Sequence, residues 1–366
     1  MIRSTLALLL ALLPLAAEAQ PVTVTDIEGR EVTLEGPAQR IALAEARQLL
    51  ALGLLGAEVP ERVVALADLR RFDAELQQDW FAAYPQLADR PLIDGDQIPS
   101  AEKVIAADPD LFILSGEGGT PEAMEALADT LEAAGIPTVM IDFRADPFAN
   151  TVPSMRILGQ VLGKEEAAED FIAFYQQHRD SVLDTIAAQQ PERPSVFLHM
   201  QANTSGRLVS PGEASLGEFV SAAGGENIGA SVVPGTFGEL SAEYLLAADP
   251  DIYLATGGSH FAPDRGVVTG PGIPPEQAQE TLQSFLDGQP ILSELTSVRE
   301  GRAHALWHNF HNSPLNVVAL EAMASWFHPD LFPASLPQDT LDEINDRFLA
   351  VPVTGAPFVS LNRAGQ

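Results

Sequence analysis

The sequence contains no cysteine. That excludes disulfides, thiolate metal sites and a cysteine nucleophile. It also excludes a lipid anchor, which needs a cysteine at the cleavage site. Basic residues are scarce, with 20 Lys and Arg against 51 Asp and Glu and a formal net charge of −31. Nucleic acid is thereby excluded as a partner, because its phosphates must be neutralised by Lys and Arg. Anionic membrane surfaces are disfavoured for the same reason. An acidic surface keeps the chain solvated and also suits a basic docking partner. No apolar run beyond the N-terminus reaches the length of a bilayer span, so no direct membrane insertion is expected. The chain also lacks a G-x-S-x-G elbow, a P-loop, an H-E-x-x-H pair and a complete G-x-G-x-x-G. No catalytic residue is assigned, and the chain reads as not an enzyme.

The N-terminus has its own pattern. Arg3 supplies a positive start, Leu6 to Ala17 is apolar, and Ala17-Glu18-Ala19 forms an A-x-A cleavage site. Residues 1–19 read as a secretory signal peptide, with the mature chain starting near Gln20. The competing reading is a buried N-terminal helix. Export without an anchor points to the bacterial periplasm.

The most informative feature is a segment that occurs twice. Residues 100–116 read SAEKVIAADPDLFILSG and residues 241–257 read SAEYLLAADPDIYLATG. Nine of the seventeen positions are identical, and most others exchange one apolar residue for another. An offset of 141 residues is far beyond a solenoid period, so the repeated unit is a whole lobe. Two similar lobes imply a cleft between them, where small ligands bind. A secreted α/β hydrolase, the remote alternative, does not explain this duplication.

Strand and helix alternate within each copy. Val22 to Leu34 reads as a hairpin around Glu28-Gly29-Arg30. Strands are predicted over Arg40–Ala44, Glu61–Ala67, Leu111–Leu114 and Thr138–Ile141, with helices over Arg47–Leu55 and Pro121–Ala134. Ser100 caps the repeated helix, with an acid in its first turn. Phe148–Leu162 and Glu165 to about Gln190 read as helices hinged at Gly163. The second would reach about 39 Å, enough to bridge two lobes. Beyond Pro191 and Pro194 the plan recurs. It has a strand over Ser195–His199, a helix over Ser215–Ala223, the repeated pair over 241–257 and a strand over Ala303–Trp307. A helix capped by Ser313, with Pro314 in its first turn, runs to Phe327. Residues 258–280 read as a Gly- and Pro-rich loop insertion, and 350–366 as an extended tail. The fold class is α/β, two Rossmann-like lobes with parallel sheets joined by one long helix. Expected boundaries are 20–147 for the first lobe, 148–190 for the helical connection and 191–349 for the second lobe.

Ligands of open α/β sheets sit beyond the carboxyl ends of the strands. In lobe one that rule nominates Glu45 and Arg47, Asp68 to Arg71, Ser115 to Gly119, and Asp142 to Arg144. In lobe two it nominates His199 to Asn203, Thr256 to His260, and Trp307 to Asn312. Arg47, Arg70, Arg71 and Arg144 all follow lobe-one strands, which is unexpected in a chain so poor in basic residues. Arg207 joins them from lobe two. Guanidinium forks suit anionic oxygen ligands. The competing reading pairs them with Glu45, Asp68 and Asp142 and gives them no ligand role. Trp307, His308, Asn309 and Phe310 are the aromatic and amide candidates of lobe two. His304, His308 and His311 raise a direct metal site, which the strand over Ala303–Trp307 argues against. No metal site is assigned. His260 reads as a surface residue.

These features together resemble the substrate-binding proteins of ABC importers, in the rigid-helix class that carries ferric siderophores, haem and cobalamin. The resemblance rests on the two lobes, the long helix, the signal peptide and the duplicated S-x-E…A-x-x-P-D segment. Further carriers are Leu131-Glu132-Ala133-Ala134-Gly135-Ile136-Pro137, Ala223-Gly224-Gly225-Glu226-Asn227-Ile228, Val298-Arg299-Glu300-Gly301-Arg302-Ala303 and Phe327-His328-Pro329-Asp330-Leu331-Phe332. The resemblance covers nearly the whole mature chain, by the order and spacing of its motifs. It implies a monomer with no intrinsic cofactor that carries an iron(III) chelate such as a ferric siderophore. The ligand alternatives are haem, cobalamin or a free metal ion. It also implies an ABC permease partner, docked through one surface glutamate per lobe, here Glu102 and Glu243. The competing reading is that each glutamate only favours its own helix N-terminus.

Overall fold

The computed structural model describes residues 20–115, 119–264 and 266–361. Residues 1–19, read above as a signal peptide, lie outside the described residues, as do 116–118 in the nominated loop after Ser115. Among the described residues, no helix is long and apolar enough to cross a membrane.

The chain opens on the expected hairpin, β1 (Val22–Thr25) against β2 (Glu31–Leu34). Lobe one follows with β3 (Ile41–Leu43), α1 (Leu49–Gly53), β4 (Val63–Leu66), α2 (Ala74–Ala83), α3 (Ala101–Ala107), β5 (Leu111–Ser115), α4 (Pro121–Ala133) and β6 (Thr138–Ile141). Its four strands are all parallel, in the order β4-β3-β5-β6. Their side chains are almost wholly buried, because helices cover both faces of a parallel sheet.

Two helices leave this sheet, α5 (Pro147–Leu162) and α6 (Glu165–Gln189), which at 25 residues spans about 38 Å. Gly163 turns the chain between them at φ 65°, where an added Cβ would meet Pro37 at 3.0 Å. The buried stripe of α6 is Ala168, Phe171, Ile172, Phe174, Tyr175 and Val182.

Lobe two repeats the plan. Its elements are β7 (Ser195–His199), β8 (Val209–Pro211), α7 (Leu216–Ala222), β9 (Glu226–Asn227), β10 (Phe237–Glu239), α8 (Ala242–Ala248), β11 (Ile252–Gly257), β12 (Gly270–Pro271), α9 (Pro275–Asp287), two single-turn helices α10 (Pro290–Ser293) and α11 (Thr296–Arg299), and β13 (Ala303–Trp307). Then come α12 (Asn316–Phe327), α13 (Leu336–Arg347), β14 (Gly355–Ala356) and β15 (Phe358–Ser360). The main sheet runs β9-β7-β11-β13-β15. Read from β9, its first four strands have the same relative order as the sheet of lobe one, so the sequence repeat is a repeat of topology.

Three expectations need correction. Residues 350–366 were expected to be a tail, but β15 pairs antiparallel with β13 and finishes the second sheet. The insertion expected over 258–280 ends sooner, because α9 starts at Pro275. Its apolar positions Ala278, Leu282, Phe285 and Leu286 lie on one helical face and are buried. Ser313 does not cap a helix. A 3₁₀ turn over His308–Asn312 intervenes, Ser313 is extended, and its Oγ donates to the Phe310 carbonyl at 3.3 Å. The helix begins at Asn316 and is buried on nearly every side, as expected of a core helix.

One apolar cluster crosses the molecule. It runs from Leu49 and Ile113 of lobe one through Phe171 and Tyr175 of α6 to Leu320 of α12 and to Trp307 and Phe310. Interiors pack at crystal density and resist sliding. A core shared between lobes therefore favours small rotations over a wide hinge.

Candidate functional site

In both sheets the strand order reverses between the first and third strands in sequence, β3 and β5 in lobe one and β7 and β11 in lobe two. Each reversal is bridged at its carboxyl edge. In lobe one the Ser115 hydroxyl donates to Glu45, across β3 and β5. In lobe two the Gln201 amide donates to Thr256 Oγ1 at 2.8 Å, and that oxygen lies 3.0 Å from His308 Nδ1.

Between the two edges lies a cleft of about 510 Å³. It gathers all five nominated arginines, Arg47, Arg70, Arg71, Arg144 and Arg207. His308 and Asn309 also line it, together with His260, His311, Phe237 and Phe261, and no carboxylate does so among the described residues. The carboxylates stand behind. Glu45 pairs with buried Arg47, Asp68 lies 3.0 Å from Arg71 and 3.9 Å from Arg70, and Glu239 holds Arg207 at 3.1 Å. A guanidinium carries five N–H donors, so one carboxylate at one edge orients it without exhausting it. Both readings of the arginines therefore meet: three acids fix the forks, and the forks line the cleft. Asp142 behaves differently. It accepts the backbone N–H groups of Arg144, Ala145 and Asp146, and the Arg144 guanidinium sits 5.9 Å from the Phe237 ring across the cleft. Burial would push the Asp142 carboxyl up, but Asn150 and those three N–H groups hold it below its ordinary value.

The histidines differ in role. Burial, reinforced by the nearby Arg144 and Arg47 charges, pushes His311 down to about 3, against the pull of its bond to the His308 carbonyl. Its Nδ1 must carry the proton donated to that carbonyl, which leaves Nε2 as an acceptor. Burial likewise takes His199 to about 4; its Nε2 donates to the Arg207 carbonyl at 2.9 Å. His304 stacks on Trp326 at 4.5 Å and bonds Ser360. It is thus separated from the His308–His311 pair, whose rings lie 4.5 Å apart. Among the described residues, no group of three or more His, Asp or Glu could hold a metal ion.

Two nominated aromatics are not in the cleft wall. Trp307 and Phe310 are each 1% exposed and pack on each other in the shared core. Sequence placed them beyond a strand end, but the core between the lobes claims their apolar surface. The Trp307 indole reaches into lobe one and donates to Asp73 Oδ2 at 2.8 Å. Asn309 Nδ2 donates to the same oxygen at 2.8 Å, and Asn309 Oδ1 accepts from Arg47 at 3.2 Å. Ser259 Oγ approaches Asp73 Oδ1 at 3.5 Å and His260 Nδ1 approaches it at 3.6 Å. His260 is therefore not a plain surface residue. Asp73 sits at the N-cap position of α2 but makes no cap bond; its side chain is spent on lobe two instead. Burial opposes its charge, yet the His260, Trp307 and Asn309 donors hold the carboxyl below its usual value.

Sequence reading missed Asp73, Phe237 and Phe261. No local pattern marks Asp73 and Phe237, because their partners Trp307, Asn309 and Arg144 lie in the other lobe; Phe261 packs on His260 and His308 of its own lobe, one residue past the nominated loop. Asp73→Ala strands the buried Trp307 indole N–H and leaves Asn309 Nδ2 only the Arg71 carbonyl, so the fold loses about 1–3 kcal/mol. Urea unfolding of Asp73→Ala against wild type checks this, and an unchanged midpoint would refute an inter-lobe role.

Glu102 and Glu243 are both exposed, in the first turns of α3 and α8. Each helix is capped by its serine, Ser100 Oγ accepting from Lys103 N at 3.5 Å and Ser241 Oγ from Tyr244 N at 3.1 Å.

Known proteins share this architecture. A TroA-like periplasmic binding protein, FepB, from Veillonella parvula is 25% identical, with a TM-score of 0.82, covering 93% of this chain and 100% of its own. A protein of an ABC-type Fe3+-hydroxamate transport system from Saccharomonospora viridis is 23% identical, with a TM-score of 0.56 and coverage of 84% and 99%. A periplasmic heme-binding protein from Pseudomonas aeruginosa is 21% identical, with a TM-score of 0.60 and coverage of 90% and 100%. No curated protein matches the sequence. The family described as periplasmic binding protein matches residues 50–306, most of the chain, and is a family of solute-binding proteins rather than enzymes, which implies a periplasmic location. The chain belongs to the periplasmic binding protein family, the solute-binding components of ABC transporters.

Proposed function

We propose that this protein captures an anionic iron(III) chelate, a ferric siderophore or similar compound, and delivers it to an ABC permease. One observation carries the reading: five arginines from both lobes converge on a cleft that no described carboxylate lines. Glu45, Asp68 and Glu239 orient four of these guanidiniums from behind, and each has five N–H donors, which suits it to take an anion in the cleft as well. Anionic chelate oxygens accept paired N–H bonds from guanidinium forks. Phe237 and Phe261 offer apolar faces to the organic shell of a chelate. Iron in a chelate is already coordinated, so the protein need not ligate it. Glu102 and Glu243 serve as the two docking charges.

Haem is the second reading. It is favoured by His260 and His308 in the cleft, since an imidazole can ligate haem iron while arginines hold the carboxylates. Thermal-shift measurement separates the two. A ligand at 100 times its Kd adds about 2.7 kcal/mol to stability. Ferric catecholates, ferric hydroxamates, ferric citrate, haemin, cobalamin and bare Zn²⁺, Mn²⁺ and Fe³⁺ salts form the panel. Stabilisation by a ferric chelate, and none by its iron-free form or by bare metals, is the expected result. Stabilisation by haemin alone would replace the first reading by the second, and a response to bare metals alone would overturn both.

A further inference from the structure

The surface that carries Glu102 and Glu243 has a second duplicated feature. Among the described residues, the exposed large hydrophobics are Leu92, Ile105, Val232 and Leu246. Ile105 and Leu246 occupy the same position of the 17-residue repeat and are 43% and 44% exposed. Scattered surface hydrophobics need no explanation, but the same repeat position left open in both lobes is a different observation. Each lies three positions after its glutamate, which places Glu102 with Ile105, and Glu243 with Leu246, on one helical face. An exposed alanine, Ala106 or Ala247, completes each face. The neighbouring positions Val104 and Leu245 point inward and are fully buried, so the open aliphatics are not part of either core.

Both helices also start at the cleft rim. The segment Asp94–Pro99, just before Ser100, lines a cavity with Arg70 and Arg71. In lobe two, Phe237 lines the cleft and Glu239 holds Arg207, only two residues before Ser241. A partner seated on these two faces therefore sits beside the arginines that hold the ligand.

We infer that Ile105 and Leu246 are paired apolar anchors of the docking surface. The partner is a membrane permease with two equivalent recesses, each an apolar pocket beside a basic group, which together receive a glutamate and an aliphatic side chain from each lobe. This rests on the permease reading above. The division of labour is physical. The charges steer a strongly acidic protein onto a basic surface and set register, whereas buried aliphatic contacts lengthen the stay.

Competition binding tests it. Labelled wild-type protein is bound to spheroplasts of the source cells, and unlabelled variants compete. The double variant Ile105→Asn, Leu246→Asn should compete at least about tenfold more weakly, with thermal unfolding unchanged. Ile105→Leu, Leu246→Ile should compete as wild type, and so should Leu92→Asn, Val232→Asn. If the first double variant competes fully while Glu102→Ala, Glu243→Ala does not, the anchors are refuted and the charged dock stands. If Leu92→Asn, Val232→Asn is equally impaired, the anchors are refuted as specific. Full competition by Glu102→Ala, Glu243→Ala, or no saturable binding of wild type, overturns the docking reading itself and the anchors with it.

Discussion

Replacing Arg71 and Arg144 together by alanine weakens binding of a ferric tris-catecholate by about a thousandfold and leaves the unliganded protein no less stable. Each guanidinium supplies charge-assisted hydrogen bonds worth about 1.5–3 kcal/mol to a bound anion. Two such losses of about 2 kcal/mol each make the thousandfold. Stability is expected to move little for reasons visible in the cleft. The Arg71–Asp68 pair is partly exposed, at 43% and 18%, and such pairs contribute about 1 kcal/mol or less. Asp142 accepts from the backbone N–H of Arg144 rather than from its guanidinium, so Asp142 keeps that bond when the side chain is truncated. Removing two of five converging cations also relieves their mutual repulsion. Calorimetric titration and urea unfolding of the same variant check both halves. A lower unfolding midpoint with unchanged affinity would show that these arginines hold the fold and not the ligand.

Acidification destabilises the protein steeply, well above the pH at which carboxylates titrate. His199 and His311 are buried and His304 is half-buried, and the desolvation lowers them to about 4, 3 and 3 from 6.5. His328 shifts in the same sense. In the folded chain His199, His304 and His311 stay neutral at pH 5, whereas in the unfolded chain they bind protons below about 6.5. Their contribution is therefore complete above pH 6.5 and is lost as pH falls towards their folded values. Each such proton tilts stability by about 1.4 kcal/mol per pH unit, so three amount to about 4 kcal/mol per unit. Glu218 works the other way. Burial, helped by Asp146 and Asp142 and opposed by the Phe148 amide, raises it to about 7 from 4.5. It takes up one proton on folding between pH 7 and 4.5, and so offsets one of the three. The loss that remains over two pH units is comparable with the whole stability of an ordinary domain, about 5–15 kcal/mol. Urea midpoints should fall steeply from pH 6.5 to 4.5. His304→Phe, which keeps the ring stacked on Trp326, should flatten that slope by about half. A midpoint that holds or rises on acidification would contradict this assignment.

What could be read from sequence follows from which signals are local. The repeat at 100–116 and 241–257 is local and intact, so the two lobes and their parallel sheets were legible. The rule that ligands sit beyond strand ends nominated Arg47, Arg70, Arg71 and Arg144, because each closely follows a lobe-one strand; Arg207, eight residues beyond β7, came from outside the rule. The same rule misplaced Trp307 and Phe310, since a strand end can also face the seam between lobes and the sequence does not say which. Asp73 was invisible because its donors come from Ser259, His260, Trp307 and Asn309, far along the chain. The helix from Pro275 was hidden by composition. Pro is welcome in a first turn, where its missing N–H is not needed, yet among glycines it reads as loop. Strand β15 was short and terminal, and only its pairing with β13 gives it a place.

The central claim is that the cleft selects ligands by negative charge. The most direct test is isothermal titration of the mature chain with ferric chelates of similar size that differ in net charge, trianionic, monoanionic and neutral, at two salt concentrations. The account predicts that affinity rises with negative charge, that the neutral chelate binds at least about tenfold more weakly, and that added salt weakens the trianion most. A neutral chelate that binds as tightly as the trianion, with no response to salt, would contradict it.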